Sequence, residues 1–201
     1  MSKARGGAAA RQKSSGRVRI IGGELRGRWL AVADSEGLRP TGNRQREMLF
    51  NWLAPYLPGA VCLDAFAGSG ALGFEAVSRG AREVVCLERD ARLASSIGQQ
   101  AQLLGVADRL RAQAADSLDW LTSSAHCFDI AFVDPPFSLN LWQPVLQQLA
   151  NGRIRTGGLV YLEYPAGDPP FLLDACWQVD RQKRCSGVMC VLLRYTPPDT
   201  A

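Results

Sequence analysis

The chain has 201 residues, of which 47% are hydrophobic and 21% are charged, with 20 Gly and 11 Pro. This length suits one domain of ordinary size, and the composition excludes a fibrous repeat and a wholly disordered chain. No apolar run reaches the roughly 18 residues that a membrane-spanning helix needs, so we expect a soluble, cytoplasmic protein without a membrane partner. The six cysteines form no CxxC pair, and we expect free thiols in a reducing compartment.

The basic residues are concentrated near the N-terminus. Residues 1–28 contain eight basic residues and one acidic residue, a net charge of +7, whereas the rest of the chain carries −3. An arm that binds phosphates has this distribution, although a solvated tail has it too. Residues 1–16 show no hydrophobic periodicity and are predicted to form a disordered basic tail.

Residues after this tail carry signals of a hairpin and a helix. Apolar runs at 18–21 and 29–33 flank glycines and predict a β-hairpin whose loop carries Arg26 and Arg28. Apolar positions spaced as on one helix face predict a helix over residues 43–53, which two prolines then end.

Beyond residue 59 the pattern becomes a regular alternation of strands and helices. Strands are predicted over residues 60–66, 83–87, 109–114, 128–133 and 158–163. Helices are predicted over residues 71–79, 90–104, 117–121 and 141–150. This alternation predicts an α/β fold with a Rossmann-like, mostly parallel, doubly wound sheet. Two last runs, 177–184 and 188–195, predict a C-terminal antiparallel hairpin at one edge.

A glycine-rich motif begins at Asp64, at a predicted strand-to-helix junction. Gly68, Gly70 and Gly73 give the spacing GxGxxG, which permits a tight turn and aims a helix N-terminus at a ligand. This spacing alone suits a dinucleotide equally well. Two acids favour another ligand, because Asp64 would repel a pyrophosphate but attract an ammonium group, and Glu88 can accept hydrogen bonds from ribose hydroxyls. S-adenosylmethionine has a ribose, an amino-acid tail and no phosphate.

The tetrapeptide Asp134-Pro135-Pro136-Phe137 follows the fourth predicted strand of this domain, at the sheet edge that binds ligands. An exocyclic amino group of a base is a poor nucleophile, because its lone pair is delocalised into the ring. If the Asp134 carboxylate and the Pro135 carbonyl accept its two hydrogens, the lone pair points at a methyl group. Phe137 offers a face for base stacking. Core packing of Phe137 and a rigid strand exit at the prolines are the structural alternatives.

Together these two motifs resemble those of S-adenosylmethionine-dependent methyltransferases that act on exocyclic amino nitrogens. The chain is also similar to the RsmD-type enzymes, which methylate guanine N2 in bacterial 16S ribosomal RNA. The residues that carry this likeness are Arg19-Ile20-Ile21-Gly22-Gly23, Arg26-Gly27-Arg28, Arg39-Pro40-Thr41, Arg46-Glu47 and Leu49-Phe50-Asn51. The resemblance runs from about Arg19 to Tyr195. It departs at Gly42-Asn43, where the family pattern has Thr-Asp.

The resemblance implies a methyltransferase domain over residues 59–201 and an N-terminal extension over residues 17–58. It implies that the cofactor is S-adenosylmethionine and that its contacts are Asp64, Phe66, Gly68, Gly70, Glu88 and Asp116. It places the catalytic site at Asp134, Pro135, Pro136 and Phe137. RNA contacts are expected at Arg19, Arg26, Arg28 and Arg39. The implied partner is 16S rRNA within a small-subunit particle, methylated by a monomeric enzyme.

Several alternatives remain open at this point. Methylation of adenine N6 would use the same tetrapeptide, and a non-catalytic RNA-binding assembly factor would keep the same fold. Asp116 either lies beside the cofactor adenine or caps the next helix, and Glu163 either lines the pocket or caps the sheet edge. His126 is the only histidine, which excludes a site of several imidazoles, and no metal is expected.

Overall fold

A seven-stranded sheet forms the centre of the protein, with helices on both faces. The computed structural model describes residues 16–32 and 42–198. The strands of the central sheet are β3 (Val61–Asp64), β4 (Glu83–Glu88), β5 (Leu110–Ala114), β6 (Phe128–Val133), β7 (Ile154–Pro165), β8 (Trp177–Cys185) and β9 (Val188–Tyr195). The helices are α1 (Asn43–Leu53), α2 (Ala71–Ser78), α3 (Ala91–Leu103), α4 (Ser117–Ser123) and α5 (Trp142–Gln148). A separate antiparallel pair contains β1 (Arg17–Arg19) and β2 (Trp29–Ala31).

The strand order of the sheet is β5-β4-β3-β6-β7-β9-β8. The five strands from β5 to β7 are parallel, and β9 pairs antiparallel with both β7 and β8. The predicted fold class, including its C-terminal antiparallel hairpin, is confirmed. Chain order reverses between β3 and β6, and ligands bind outside the carboxyl ends of the strands at such a point.

Strand alternation divides the core into two hydrophobic layers. One layer contains Phe132 of β6 and Tyr161 of β7, packed with residues of the N-terminal hairpin, α1, α2 and α3. The other contains Val133 and Leu162, packed with residues of α4 and α5. The hairpin shares this first layer because it packs on the helices of that face, with hydrogen bonds to Glu75 and Ser78 of α2 and to Gln100 of α3.

Some elements of the structure begin or end at other residues than the sequence predicts. β7 spans Ile154–Pro165 instead of 158–163, because β6 and β9 pair with it along most of its length. The helix predicted over 141–150 ends its α-helical part at Gln148 and continues as a π-type turn. The hairpin strands are shorter than predicted, while the tail predicted at 1–16 lies outside the described residues except for Gly16.

Candidate active site

An acidic side chain lies at or near the carboxyl end of each of the five parallel strands. Asp64 and Glu88 are the last residues of β3 and β4, and Asp116 follows β5 by two positions. Asp134 comes directly after β6, and Glu163 lies two residues before the end of β7. The topology therefore brings the predicted cofactor motif and the predicted amino-group motif to one edge of the sheet.

The glycine-rich turn joins β3 to α2. Gly68 and Gly70 have φ values of +54° and +76°, a region that disfavours side chains. A Cβ on Gly73 would lie 2.5 Å from the Cys86 sulfur of β4, so this glycine permits close helix–strand packing. The Gly73 amide donates to Asp64 Oδ2 at 3.1 Å. The GxGxxG motif therefore forms a tight turn into α2, and the Asp64 carboxylate binds the Gly73 amide in the first turn of that helix.

The Asp64 carboxyl is only 2% exposed. Burial raises its pKa to about 7, and the charge of Glu88 adds to this effect, while hydrogen bonds from the Gly73 and Phe66 amides oppose it. Sequence interpretation aims Asp64 at an ammonium group of the ligand. In the structure, Oδ2 of Asp64 instead accepts a hydrogen bond from the Gly73 amide of the glycine-rich motif.

Glu88 is fixed by two backbone amides of neighbouring turns. The Gly68 amide donates to Oε2 at 2.9 Å, and the Asp90 amide donates to Oε1 at 2.8 Å. Because each carboxylate oxygen has two lone pairs, hydroxyl donors can be accepted in addition. Asp116 caps α4 by accepting from the Leu118 amide at 2.9 Å and from the Asp119 amide at 3.3 Å. The capping alternative for Asp116 is therefore observed, and its cofactor contact remains a prediction.

The second motif leaves β6 as an extended segment. Asp134 is half-buried, Pro135 is buried, and Pro136 is exposed. Phe137 begins a short 3-10 turn, and its ring centroid lies 5.8 Å from that of Trp142. Phe137 is half-buried, so the packing alternative is observed, and its stacking on a base remains a prediction.

The electrostatic environment of Asp134 is unusual for a carboxylate. Burial contributes most, followed by the negative charges of Glu163 and Asp64, and together they raise the pKa of Asp134 well above its ordinary value. A carboxylate in such a place is a better proton acceptor than an exposed one. Perturbed groups of this kind are frequent in functional clefts.

Sequence reasoning did not identify the partners of Glu163. Its side chain is 5% exposed, and it accepts hydrogen bonds from Gln45 Nε2 at 2.6 Å and from the Tyr161 hydroxyl at 2.7 Å. Gln45 belongs to α1, so this helix contacts the acidic residue near the carboxyl end of β7. The available signal was an acid at the end of an otherwise apolar strand, which demands a polar partner.

The hairpin presents the predicted RNA contacts at an exposed surface. Arg19, Arg26 and Arg28 are all exposed, whereas Arg39 lies outside the described residues. A cavity of about 260 Å³ is lined by Arg19, Ile20, Ile21, Arg26, Asn43 and Glu47. The Arg19 guanidinium lies 5.9 Å from the ring centroid of Trp29, which is 57% exposed. Trp29 is an aromatic neighbour that the sequence analysis missed.

Among residues 16–32 and 42–198, no group of three or more His, Cys, Asp or Glu side chains is arranged to hold a metal ion. In the same part of the chain, no helix has the length and apolarity needed to cross a membrane.

The sheet order, the glycine turn after β3 and the Asp134 motif after β6 together define a Rossmann-like methyltransferase. More narrowly, the chain belongs to the family described as conserved hypothetical protein 95, whose model matches residues 18–194. The ribosomal RNA small subunit methyltransferase D of Haemophilus influenzae is 42% identical over 175 residues, which are 85% of this chain and 90% of that protein. The expected membership among the RsmD-type enzymes is confirmed.

Solved structures share the same architecture. The putative methyltransferase yhhF from Escherichia coli superposes with a TM-score of 0.82 at 38% identity, covering 91% of this chain and 100% of that one. An RNA methyltransferase from Salinibacter ruber, crystallised with S-adenosyl-L-homocysteine, has a TM-score of 0.62 at 19% identity, covering 80% of this chain and 97% of that one. The second likeness concerns the fold alone.

Proposed function

We propose that the protein transfers a methyl group from S-adenosylmethionine to the N2 amino group of a guanine in 16S rRNA of the small ribosomal subunit. One observation carries this proposal. The turn of Gly68 and Gly70 and the segment Asp134-Pro135 follow β3 and β6, which are adjacent strands at the point where chain order reverses. A methyl donor on the first motif and an amino acceptor on the second would meet across this boundary.

The residues after β3, β4 and β5 fit the proposed cofactor. Glu88 is anchored by the Gly68 and Asp90 amides, so its carboxylate is oriented before a ribose arrives. Half-buried Asp116 would lie at the adenine, and Phe66 would pack at the same end of the sheet. The carboxylates of Glu88 and Asp116 would repel a pyrophosphate. This donor set favours a ribose-containing ligand without phosphates.

Methyl transfer depends on how the acceptor nitrogen is held. The Asp134 carboxylate and the Pro135 carbonyl accept the two N2 hydrogens, which orients the nitrogen lone pair. When bound, S-adenosylmethionine supplies a methyl group on a positively charged sulfur, which keeps the electron pair of the broken C–S bond. Asp134 then takes the proton that the methylated nitrogen releases, a role that its raised pKa favours.

The RNA substrate is proposed from the basic hairpin and from the names of the relatives. Arg26 and Arg28 are exposed on the segment between β1 and β2, where they would contact phosphates. The relative from Haemophilus influenzae is named for the small ribosomal subunit RNA. We propose that the enzyme acts as a cytoplasmic monomer on a small-subunit particle, on a guanine that can leave its stack.

The test supplies radiolabelled S-adenosylmethionine and small-subunit particles that lack modification, with naked 16S rRNA in parallel. After digestion, the labelled nucleoside is identified and its position is mapped. N2-methylguanosine in one nucleotide supports the proposal. N6-methyladenosine would indicate the adenine alternative, and S-adenosylmethionine binding by calorimetry distinguishes an inactive preparation from a non-catalytic RNA-binding protein.

A further inference from the structure

Glu163 lies beside Asp134 in the register of the sheet. In the parallel pair of β6 and β7, Val133 is opposite Leu162, so the next positions are Asp134 and Glu163. Side chains alternate between the two faces of a strand. Phe132 and Tyr161 pack in one hydrophobic layer, and the following alternate positions, Asp134 and Glu163, therefore lie on that same face.

Gln45 and Tyr161 help to fix the Glu163 carboxylate in this position. Gln45 of α1 donates to Oε2, and the Tyr161 hydroxyl donates to Oε1. Burial first, and the charge of Glu163 second, raise the pKa of Tyr161, so its hydroxyl stays a donor. A carboxylate has about four lone-pair sites, so a substrate N–H can join or replace the donors that hold this carboxylate in the free protein. The negative charge of Glu163 also raises the pKa of Asp134.

A second carboxylate at this position would distinguish guanine from adenine by the hydrogen-bonding groups on the edge of each base. Guanine presents two adjacent donors, the ring N1–H and the N2 amino group. Adenine presents an amino group beside an unprotonated N1, which is an acceptor. Two neighbouring carboxylates, one for each donor, match guanine and repel the ring nitrogen of adenine. A site that is built to bind an N–H discriminates strongly against an analogue without it.

We propose that Glu163 is the specificity-determining residue of the site, accepting the N1–H of the guanine whose N2 amino group is held at Asp134. This inference rests on the proposed function and deepens it. In the free protein, Gln45 couples this carboxylate to α1, so the N-terminal extension also positions the residue that reads the base.

The test uses 2-aminopurine, which keeps the N2 amino group but has an unprotonated N1. Small-subunit particles are reconstituted with either guanine or 2-aminopurine at the mapped nucleotide, and kcat/KM for methyl transfer is measured on both. We expect the unmodified enzyme to favour guanine by about 10- to 100-fold, the range for hydrogen bonds to charged groups. Equal rates on both bases would overturn the inference without any variant.

The variant Glu163→Gln then tests the residue itself. A glutamine amide can donate to the unprotonated N1, so the preference for guanine should fall at least tenfold. A purely structural loss would lower both rates together and leave the ratio unchanged, which would contradict the proposal. Tyr161→Phe is the matched control, since it removes one donor to Glu163 but keeps the carboxylate, and it should retain the preference. Absence of guanine N2 methylation by the unmodified enzyme would instead overturn the proposed function.

Discussion

Glu75 of α2 binds the backbone of the N-terminal hairpin, accepting a hydrogen bond on Oε1 from the Gly22 amide at 2.8 Å. Its other oxygen accepts from the Ile21 amide, also at 2.8 Å. At the end of the same helix, Ser78 accepts from the Leu25 amide through its hydroxyl and from the Glu24 amide through its carbonyl. Four backbone amides of the basic hairpin are thus bound by Glu75 and Ser78 of α2.

This attachment requires a glycine at position 23. Gly23 has a φ of +78°, and a Cβ there would lie 1.7 Å from the Ser78 carbonyl oxygen. We expect Gly23→Ala to lower the free energy of unfolding by about 3 kcal/mol, because backbone strain adds to displacement of the hairpin. Gly27→Ala is the matched control: its φ is +86°, but its Cβ would approach no atom closer than 3.4 Å. Urea unfolding should show a loss of only about 1 kcal/mol for the control, and equal losses would contradict the contact.

Local patterns predicted much of the fold. β6 matches the predicted bounds of 128–133, and Asp90 caps α3 as expected by accepting from the Arg92 amide at 2.8 Å. Both features depend on residues that are neighbours in sequence. The GxGxxG and Asp134 motifs could be placed at one sheet edge for the same reason, since the topology follows from alternating strands and helices.

Pairs between distant segments could not be predicted this way. Gln45 and Glu163 are 118 residues apart in sequence, and Ile21 and Glu75 are 54 apart. No local periodicity encodes which buried acid meets which donor. The one available hint at Glu75 was an acid inside an otherwise apolar helix, which indicates that a partner exists but does not identify it.

Glu88→Ala should weaken S-adenosylmethionine binding. Loss of hydrogen bonds to a charged acceptor costs about 1.5 to 3 kcal/mol, or roughly 10- to 100-fold in Kd. Release of the Gly68 amide, which Glu88 now holds, adds to the effect. Calorimetric titration measures the change, with Glu83→Ala at the opposite end of β4 as the control. Unchanged affinity in Glu88→Ala would remove this residue from the cofactor site.

Asp134→Ala should reduce methyl transfer by orders of magnitude with little change in cofactor affinity. The carboxylate is proposed to hold the target amine and not the methyl donor, so the loss concerns positioning of the acceptor. Asp134→Asn keeps one carbonyl acceptor and should retain partial activity. Single-turnover rates on the small-subunit particle measure both variants, and near-normal turnover of Asp134→Ala would eliminate the proposed mechanism.

The pH dependence of methyl transfer follows from the raised pKa of Asp134. Its ionised form is the one that accepts hydrogens, so activity should fall as pH decreases, and should do so at a higher pH than for an ordinary aspartate. Glu163→Gln removes one of the negative charges that raise this pKa, and the acid limb of kcat/KM should therefore move to lower pH. Asp64→Asn should act in the same direction. Glu83→Gln, at the amino end of β4, should leave the acid limb of kcat/KM unchanged. An unshifted acid limb in Glu163→Gln would contradict the electrostatic effect of Glu163 on Asp134.

Salt dependence tests whether the hairpin contacts RNA. Phosphate contacts release counterions, so the logarithm of affinity falls linearly with the logarithm of salt concentration. Arg26 and Arg28 are exposed on a turn that Glu75 and Ser78 attach to the core, and an ordered turn presents them with little loss of entropy. Replacing both by alanine should reduce the slope by about 1.5 to 2, if each arginine neutralises one phosphate.

The matched control for this variant removes the same charge elsewhere. Arg82 and Arg181 are exposed, the first at the amino end of β4 and the second on the edge strand β8. Their double alanine variant has the same net charge as the hairpin variant, so any difference in slope reports contact at the hairpin rather than overall attraction. Binding to small-subunit particles is measured between 50 mM and 200 mM salt. If both variants lose the same slope, Arg26 and Arg28 are a solvated face of the hairpin and RNA is held by other residues.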